Sequence, residues 1–344
     1  IVVHAFSFSS FKSMDSSEPP FLKTYSTLFE NSTQKSVHEN RPLVAADYEL
    51  PLIDLSRLSL GDADRRQCEK EIADAASQLG FFQVVNHGVS PDVLARTHHE
   101  QVDLFRQPFS EKADEKLMSL PVGCYRWGNP NATSLMQFSW SEAFHIPLSN
   151  ISGLRDFDTI RSPTEEFVEV VSDLAQRIAE VLADNLGCKS DFFAENCLPS
   201  SCYLRMNRYP PCPVAPEAYG LVPHTDSDFL TILYQDQLGG LQLVKDGSWV
   251  SVKPNPDALV VNIGDLFEAW SNGFYKSIEH RVMTNHKFER FSVAYFFCPS
   301  YDTVIQGCCE PSFYREFSFE EYREQVQQDV ESTGSKVGLP RFLA

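Results

Sequence analysis

Hydrophobic residues recur with two different spacings along the chain. Up to about residue 200, apolar positions return every three or four residues in several segments, which is the pattern of amphipathic helices. Ser162 and Glu165 form a predicted capping box, with Pro163 at the first helical position. The clearest predicted helices cover residues 64–79, 90–106 and 162–187, and Ser318 is predicted to cap another near the end of the chain.

After Tyr203 the apolar period becomes two, which indicates β-strands. Gly, Pro, Asp or Asn separate the short runs YLRMNRY, FLTILY, GGLQLV, SWVSV, ALVVNI, KSIEHRVM and FSVAYFF. Many short antiparallel strands after a helical half predict an α+β fold. Its core would be a double-stranded β-helix, or jelly roll, with helices packed outside it that come mostly from the N-terminal half.

These patterns predict one compact unit, since no internal repeat or long linker divides the chain. Residues 1–47 are expected to form a flexible arm, because the stretch after Met14 is rich in Ser and Pro and has little periodicity. Residues 1–13 are expected not to be native, with Met14 as the native start. The remaining parts are a mainly helical region, a jelly-roll core, and a C-terminal helix and tail, at residues 48–200, 201–310 and 311–344.

Three side chains have the residue types and spacing of a metal site. His224 and Asp226 are two apart in VPHTDSDFLTIL, so in an extended segment they point to the same side, and His280 follows in SIEHRVMT. Two imidazoles and one carboxylate leave three positions open on a six-coordinate ion, which is the facial triad of non-heme Fe(II) oxygenases. An H-x-D pair alone is common, and either histidine could instead be a core residue.

A second group of polar residues follows the third candidate ligand. Arg290 and Ser292 are two apart at the start of the apolar run VAYFF, so they share one strand face. A guanidinium offers a planar fork of donors that suits a fixed carboxylate. In YLRMNRY, alternation places Asn207 and Tyr209 on one face. Ordinary polar bonding within the strand is the alternative explanation for these two residues.

From about residue 48 to 330, the ordered segments resemble the plant 2-oxoglutarate-dependent dioxygenases. They are YLRMNRYPPCP, HTDSDFLTIL, GGLQL, VVNIGDLFEAWSNG, YKSIEHRV and ERFSVAYFF. The resemblance implies Fe(II), 2-oxoglutarate as co-substrate, O2 and ascorbate as reductant. It also implies that Asn207, Tyr209, Arg290 and Ser292 hold 2-oxoglutarate. Arg208 stands where the family usually has Tyr, and alternation predicts that it faces away from the site.

The segments GCYRWGNPNATS and WSEAFHIPL are similar to those of gibberellin 2-oxidases, in particular the branch that acts on C20 gibberellins. This similarity implies 2β-hydroxylation of an apolar diterpenoid carboxylic acid, which inactivates the hormone precursor. Arg126 and its neighbour Tyr125 are then expected to contact the substrate. The alternative for Arg126 is a surface residue stacked on its neighbours.

Two other functions remain open on these residues. The same chemistry could act on another apolar plant acid or on a flavonoid. Alternatively, the jelly roll could be a non-catalytic protein that binds a small molecule. The complete triad and the R-F-S group favour an enzyme, because a binding protein has no need of all five side chains.

The composition of the chain limits the classes of partner that it is expected to bind. The net charge of −18 argues against nucleic acid and anionic membrane surfaces, which favour basic patches. No stretch approaches the ~20 apolar residues of a membrane span. Nine cysteines without a C-x-x-C pair predict reduced thiols and a cytoplasmic location, with a nuclear share left open. The oligomeric state is not predicted.

Overall fold

Two β-sheets form the centre of the molecule. The computed structural model describes residues 16–29, 46–114, 121, 123–154, 158–213 and 218–344. The strands are β1 Ala46–Tyr48, β2 Leu52–Asp54, β3 Phe81–Val85, β4 Tyr125–Trp127, β5 Glu142–Pro147, β6 Tyr203–Tyr209, β7 Tyr219–His224, β8 Leu230–Gln235, β9 Leu241–Lys245, β10 Ser248–Val252, β11 Leu259–Ile263, β12 His280–Met283, β13 Arg290–Phe297, β14 Val304–Ile305 and β15 Phe317–Ser318.

The helices lie before, between and after these strands. They are α1 Phe21–Thr24, α2 Asp62–Gln78, α3 Pro91–Phe105, α4 Phe109–Lys112, α5 Asp158–Asn185, α6 Asp191–Asn196, α7 Asp265–Trp270 and α8 Phe319–Thr333. Within the described ranges, no helix is long and apolar enough to cross a bilayer. All nine cysteines are free thiols, which agrees with the prediction from their spacing.

The sheet order is that of a jelly roll. The smaller sheet has the order β1-β10-β9-β12-β7, and the larger has the order β2-β3-β11-β8-β13-β6-β5-β4. Neighbouring strands are antiparallel, except that β1 pairs with β10 and β2 with β3 in parallel. Strands adjacent in space come from distant parts of the chain, so the sheets bring remote segments together. The α+β jelly-roll prediction is confirmed.

The larger sheet has an apolar outer face that the helices cover. Alternate residues of its central strands, among them Met206, Ile232 and Val293, are fully buried in the main hydrophobic core. α5 contacts β8 and β13, and also contacts α2 and α3. The other set of alternate residues, which includes Asn207 and Ser292, lies on the inner face. Because the helices pack against the outer face, the alternate polar residues face the interior of the jelly roll.

Local capping signals predict most helix ends. Ser90 accepts a hydrogen bond from the Val93 amide at 3.2 Å, and Ser318 accepts one from the Glu321 amide at 3.0 Å. Gly80 follows α2 with φ of +68°, a conformation that favours glycine. These signals work because each satisfies an otherwise unpaired backbone group at a helix end.

The predicted capping box at Ser162 is wrong. α5 begins at Asp158, and Pro163 lies inside the helix. The Ser162 hydroxyl donates to the Glu166 carboxylate at 3.1 Å instead of capping the helix. Ile160 is fully buried in the core, and this packing outweighs the one backbone bond that Pro163 cannot make.

β7, which carries His224, was not predicted as a strand because Gly220 and Pro223 interrupt its pattern. β7 is an edge strand of the smaller sheet, where a proline leaves no ladder bond unmade. At Gly220 a Cβ atom would lie 2.7 Å from the Tyr209 ring, so only glycine fits. The interruptions are therefore compatible with the strand in its tertiary position.

The prediction of a flexible N-terminal arm is wrong for residues 16–29. Phe21, Tyr25 and Phe29 are buried in a separate hydrophobic cluster, where Phe21 stacks on Trp140 with ring centroids 4.6 Å apart. Aromatic side chains bury large areas, so a few of them hold a segment whose composition is otherwise typical of a loop. The prediction is also wrong for residues 46 and 47, which belong to β1, whereas residues 1–15 and 30–45, where the other predictions for the arm fall, lie outside the described residues.

A buried ion-pair network joins α4, β5 and β6 on the outer side of the larger sheet. The Lys112 ammonium donates to Glu142 at 2.6 Å, and the Arg208 guanidinium donates to the same carboxylate at 2.8 Å. Arg208 also donates to Glu289 at 3.0 Å. This network explains the arginine that interrupts the family pattern and confirms that it faces away from the inner face.

Replacing Glu142 is expected to destabilise the fold strongly. Glu142→Ala leaves two buried cations without this shared carboxylate, and loss of one partner from a buried pair costs about 3–5 kcal/mol. Urea unfolding monitored by circular dichroism measures the change. The control is Glu49→Ala, which removes the partner of Lys253 in an exposed pair and is expected to leave the unfolding midpoint nearly unchanged. Equal effects of the two substitutions would contradict the role of the network.

Candidate active site

The structure brings His224, Asp226 and His280 together. His224 ends β7, His280 begins β12, and the two are paired across the smaller sheet, while Asp226 lies in the turn after β7. One ligand atom from each residue can be chosen so that all three lie within 4.8 Å of one another. The Nε2 atoms of His224 and His280 are 3.6 and 3.8 Å from Asp226 Oδ1. The three donors therefore converge on one point.

Backbone carbonyls orient both imidazoles. His224 Nδ1 donates to the Val222 carbonyl at 2.8 Å, and His280 Nδ1 donates to the Ile278 carbonyl at 3.1 Å. Each Nε2 therefore has its lone pair free and directed toward Asp226, which is the form that binds a metal. Burial, together with the nearby His280, lowers the pKa of His224 to about 3, so His224 is neutral at physiological pH.

Two neutral donors hold the Asp226 carboxylate in place. The Thr231 hydroxyl and the Asn262 amide donate to Oδ2 at 2.6 and 2.8 Å, which leaves Oδ1 toward the histidines. Burial opposes ionisation, but His280, His224 and these hydrogen bonds lower the pKa of Asp226 to about 2.

The residues present at this site fit a divalent cation. Among the described residues, no lysine or arginine lies within ion-pair distance of Asp226. The buried carboxylate thus has only neutral partners, and a bound cation would supply the missing positive charge. Nitrogen and oxygen donors without thiolates suit Fe(II).

The second predicted group also assembles on the inner face. Arg290 and Ser292 lie opposite Tyr209 and Asn207 across the β13–β6 pair. Ser292 Oγ lies 3.4 Å from both Arg290 Nη1 and Asn207 Nδ2, and the Arg290 guanidinium lies 4.9 Å from the centre of the Tyr209 ring. The four side chains therefore line one corner of the interior, as strand alternation predicts.

Arg290 is buried without a carboxylate partner in the described part of the chain. Its Nε donates to the Gly239 carbonyl at 2.7 Å, and its Nη2 donates to Gln235 Oε1 at 2.7 Å. These neutral acceptors orient the guanidinium but leave its charge unbalanced. A buried cation of this kind suits an anionic ligand with a carboxylate.

The two residues predicted to contact substrate lie on opposite faces. Arg126 is opposite Ala143 in the β4–β5 pair, which places it on the inner face, and its side chain is exposed. Tyr125 is on the outer face, where its hydroxyl bonds to the buried Glu142 carboxylate, and burial raises its pKa strongly. The prediction for Tyr125 is therefore wrong, because neighbours in a strand point to opposite sides.

Thr231, Gln235 and Asn262 support the site but were not predicted from the sequence. Thr231 and Gln235 are four apart in β8, so both lie on the inner face of the larger sheet, which faces the interior of the jelly roll. The alternation that identifies Arg290 and Ser292 would also have found this pair. Asn262 reaches Asp226 only because β11 lies beside β8 in the folded sheet.

Known families share the segments that form this site. A family model described as the 2OG-Fe(II) oxygenase superfamily matches residues 200–299. A second model, described as the N-terminal part of the non-haem dioxygenase in morphine synthesis, matches residues 50–159. The first match contains all three metal-ligand candidates and the Arg290 group.

Two known proteins are similar over most of the chain. Gibberellin 2-beta-dioxygenase 8 of Arabidopsis thaliana is 55% identical over 335 residues, which cover 95% of this chain and 98% of that protein. Gibberellin 2-beta-dioxygenase 6 of Oryza sativa subsp. japonica is 52% identical, with 86% and 85% covered.

Solved structures share the fold. JOX2 in complex with 2OG, Fe and JA superposes with a TM-score of 0.72 at 32% identity, covering 91% of this chain and 97% of JOX2. The dioxygenase for auxin oxidation (DAO) in rice has a TM-score of 0.71 at 29% identity, covering 86% of this chain and 100% of DAO.

Removing the Thr231 hydroxyl is expected to weaken metal binding. Thr231→Val deletes the donor to Asp226, and loss of a hydrogen-bond partner of a ligand typically costs about 10- to 100-fold in metal affinity. Calorimetric titration with Co2+ measures the change. Thr231→Ser keeps the hydroxyl and should retain most of the affinity. The role of Thr231 would be wrong if the valine variant bound Co2+ as tightly as the serine variant.

Proposed function

Because the chain belongs to the gibberellin 2-beta-dioxygenases of the 2OG-Fe(II) oxygenase superfamily, we propose that it hydroxylates gibberellins at the 2β position. It is a 2-oxoglutarate-dependent dioxygenase that uses Fe(II) and O2. The identity of 55% to a gibberellin 2-beta-dioxygenase along nearly its whole length is the observation that carries the substrate assignment.

His224, Asp226 and His280 hold the Fe(II) in this proposal. Their donor atoms converge, and the buried carboxylate lacks a cationic partner from Lys or Arg among the described residues. Bound Fe(II) supplies the activation of O2 that couples decarboxylation of 2-oxoglutarate to hydroxylation of an unactivated carbon. Thr231 and Asn262 keep Asp226 oriented, so that its Oδ1 stays directed toward the two histidines that would hold the ion with it.

Arg290 binds the distal carboxylate of 2-oxoglutarate in this proposal. Ser292, Asn207 and Tyr209 surround the guanidinium and fix the position of that carboxylate. Burial makes each of these hydrogen bonds stronger than it would be in water and keeps water away from the reacting atoms. This arrangement holds the co-substrate at a set distance from the metal ligands.

The proposed substrate is a diterpenoid carboxylic acid of the C20 gibberellin group, and its hydroxylation would inactivate the hormone precursor. Ascorbate is the proposed reductant. Neither nucleic acid nor a membrane is proposed as a partner, given the net charge of −18. The cytoplasmic location with a nuclear share stays a prediction.

A second candidate is the same chemistry on another apolar plant acid or on a flavonoid. The fold shared with an enzyme of auxin oxidation favours it. A non-catalytic binding protein is disfavoured, because both a metal-ligand triad and a buried guanidinium without a carboxylate partner among the described residues are present.

Product analysis is expected to separate these functions. The protein is loaded anaerobically with Fe(II) and 2-oxoglutarate, then exposed to air with a C20 gibberellin. Mass spectrometry should find one added oxygen at C-2 and one succinate for each product molecule. Succinate without a hydroxylated gibberellin would direct the search to another substrate. Absence of both products would support the binding-protein alternative.

Arg290→Lys is expected to raise the KM for 2-oxoglutarate about 10-fold or more, because a point charge replaces a two-pronged donor. Initial rates at saturating gibberellin, measured as succinate formed, give this KM. Arg177→Lys changes an exposed arginine on α5 and serves as the control. An unchanged KM in the Arg290 variant would contradict its role.

A further inference from the structure

The inner face of the larger sheet extends beyond the four side chains of the Arg290 group. Strand register places Arg205 opposite Ala294 on one side and His145 on the other, and places Tyr203 opposite Phe296. These residues alternate with the buried outer set, so they face the same interior as Asn207 and Ser292. The proposed function assigns no role to this part of the face.

Three rings on this part of the face form a continuous stack. The His145 ring stacks on Tyr203 with centroids 4.0 Å apart, and Tyr203 stacks on Phe296 at 4.5 Å. All three side chains are only partly buried. Phe296 pairs in register with Thr231, the residue that holds Asp226. The stack therefore extends an apolar ring surface from the metal ligands outward.

Two guanidiniums share the sheet face of this aromatic stack, and a third belongs to α8. Arg205 and Arg126 come from the inner face of β6 and β4, and Arg323 comes from α8, where it donates to the Tyr301 hydroxyl at 3.0 Å. Burial lowers the pKa of His145 to about 4, and the charges of Arg205, Arg323 and Arg126 contribute to this shift. Arg205 and Arg126 therefore share the inner face with the His145 ring, and Arg323 adds positive charge from α8.

Among the residues that the structure describes, these guanidiniums have no acidic partner, although the protein is rich in acidic residues. The chain has 47 Asp and Glu against 29 Lys and Arg, so carboxylates outnumber basic groups. Nevertheless, none lies within ion-pair distance of Arg126, Arg205 or Arg323 in the described ranges. Arg205 Nε instead donates to Asn207 Oδ1 at 2.8 Å, and Arg126 Nε donates to the Gly123 carbonyl at 3.2 Å. Positive charge thus remains unbalanced beside an apolar surface.

We propose that Arg205, Arg323 and Arg126 bind the carboxylates of the substrate while the stack of His145, Tyr203 and Phe296 contacts its apolar skeleton. The assignment rests on the proposed function, since it specifies how that site selects its substrate. A planar guanidinium pairs with a carboxylate through two parallel hydrogen bonds, and aromatic faces suit a rigid hydrocarbon skeleton. More than one guanidinium suits a substrate with more than one carboxylate.

Paired changes in protein and substrate test this assignment. Kinetics and calorimetric binding are measured with a C20 gibberellin dicarboxylic acid and with its methyl esters, for the wild type, Arg323→Gln and Arg205→Gln. Esterification should raise the wild-type KM and Kd about 10-fold or more, as expected for a charge-assisted bond. Each variant should bind the acid as weakly as the wild type binds the ester of the carboxylate that the replaced arginine contacts. Esterification of that carboxylate should then raise the Kd of the variant only slightly further.

Controls separate this effect from general damage. Arg177→Gln removes an exposed guanidinium from the outer helix α5 and should keep the full preference for the acid. Arg323→Lys keeps the charge and should retain part of the preference. For Arg323→Gln, the KM for 2-oxoglutarate should stay unchanged, because Arg323 lies outside the Arg290 group.

Two different failures are distinguishable. In the first, the wild type hydroxylates the acid while every variant keeps the wild-type ratio between the Kd for the ester and the Kd for the acid. In that case the arginine assignment is wrong and the proposed function stands. If the wild type forms succinate but neither binds nor hydroxylates any gibberellin acid, the proposed function is wrong, and the assignment that rests on it is wrong as well.

Discussion

Side chains alternate between the two faces of the larger sheet, and both the packing of the helices and the position of the site follow from this alternation. Each central strand gives one set of residues to the helices and the other set to the interior. A shift of one residue in register would place Asn207 and Ser292 against the helices and Met206 in the site. The apolar outer face therefore stabilises the fold and also sets the position of every inner polar group.

Buried charges follow two different rules in this molecule. On the outer side, Glu142 balances Lys112 and Arg208, so the charges are neutralised within the protein. On the inner side, Asp226 and Arg290 are oriented by neutral groups and have no such balance among the described residues. An unbalanced buried charge is costly without a ligand, which makes these two positions suited to a cation and an anion.

Local signals in the sequence were reliable where one short segment determines the outcome. Most helix ends, the period-two strands and the face shared by Arg290 and Ser292 belong to this class. Predictions from these signals were wrong where packing between distant segments determines the local structure. Burial of Ile160 extends α5 past a predicted cap, and the clustering of Phe21 with Trp140 orders a segment predicted to be flexible.

The fold class, the metal-ligand candidates and the shared strand face of Arg290 and Ser292 could be predicted from the sequence alone, because these features follow from residue types and their spacing. Only the tertiary structure decided that Tyr125 faces Glu142 and that Asn262 supports Asp226. It also decided that arginines from β4 and β6 share one sheet face with an aromatic stack. The physical reason is that strand pairing joins residues far apart in the chain, and a single sequence records spacing along the chain but not strand order.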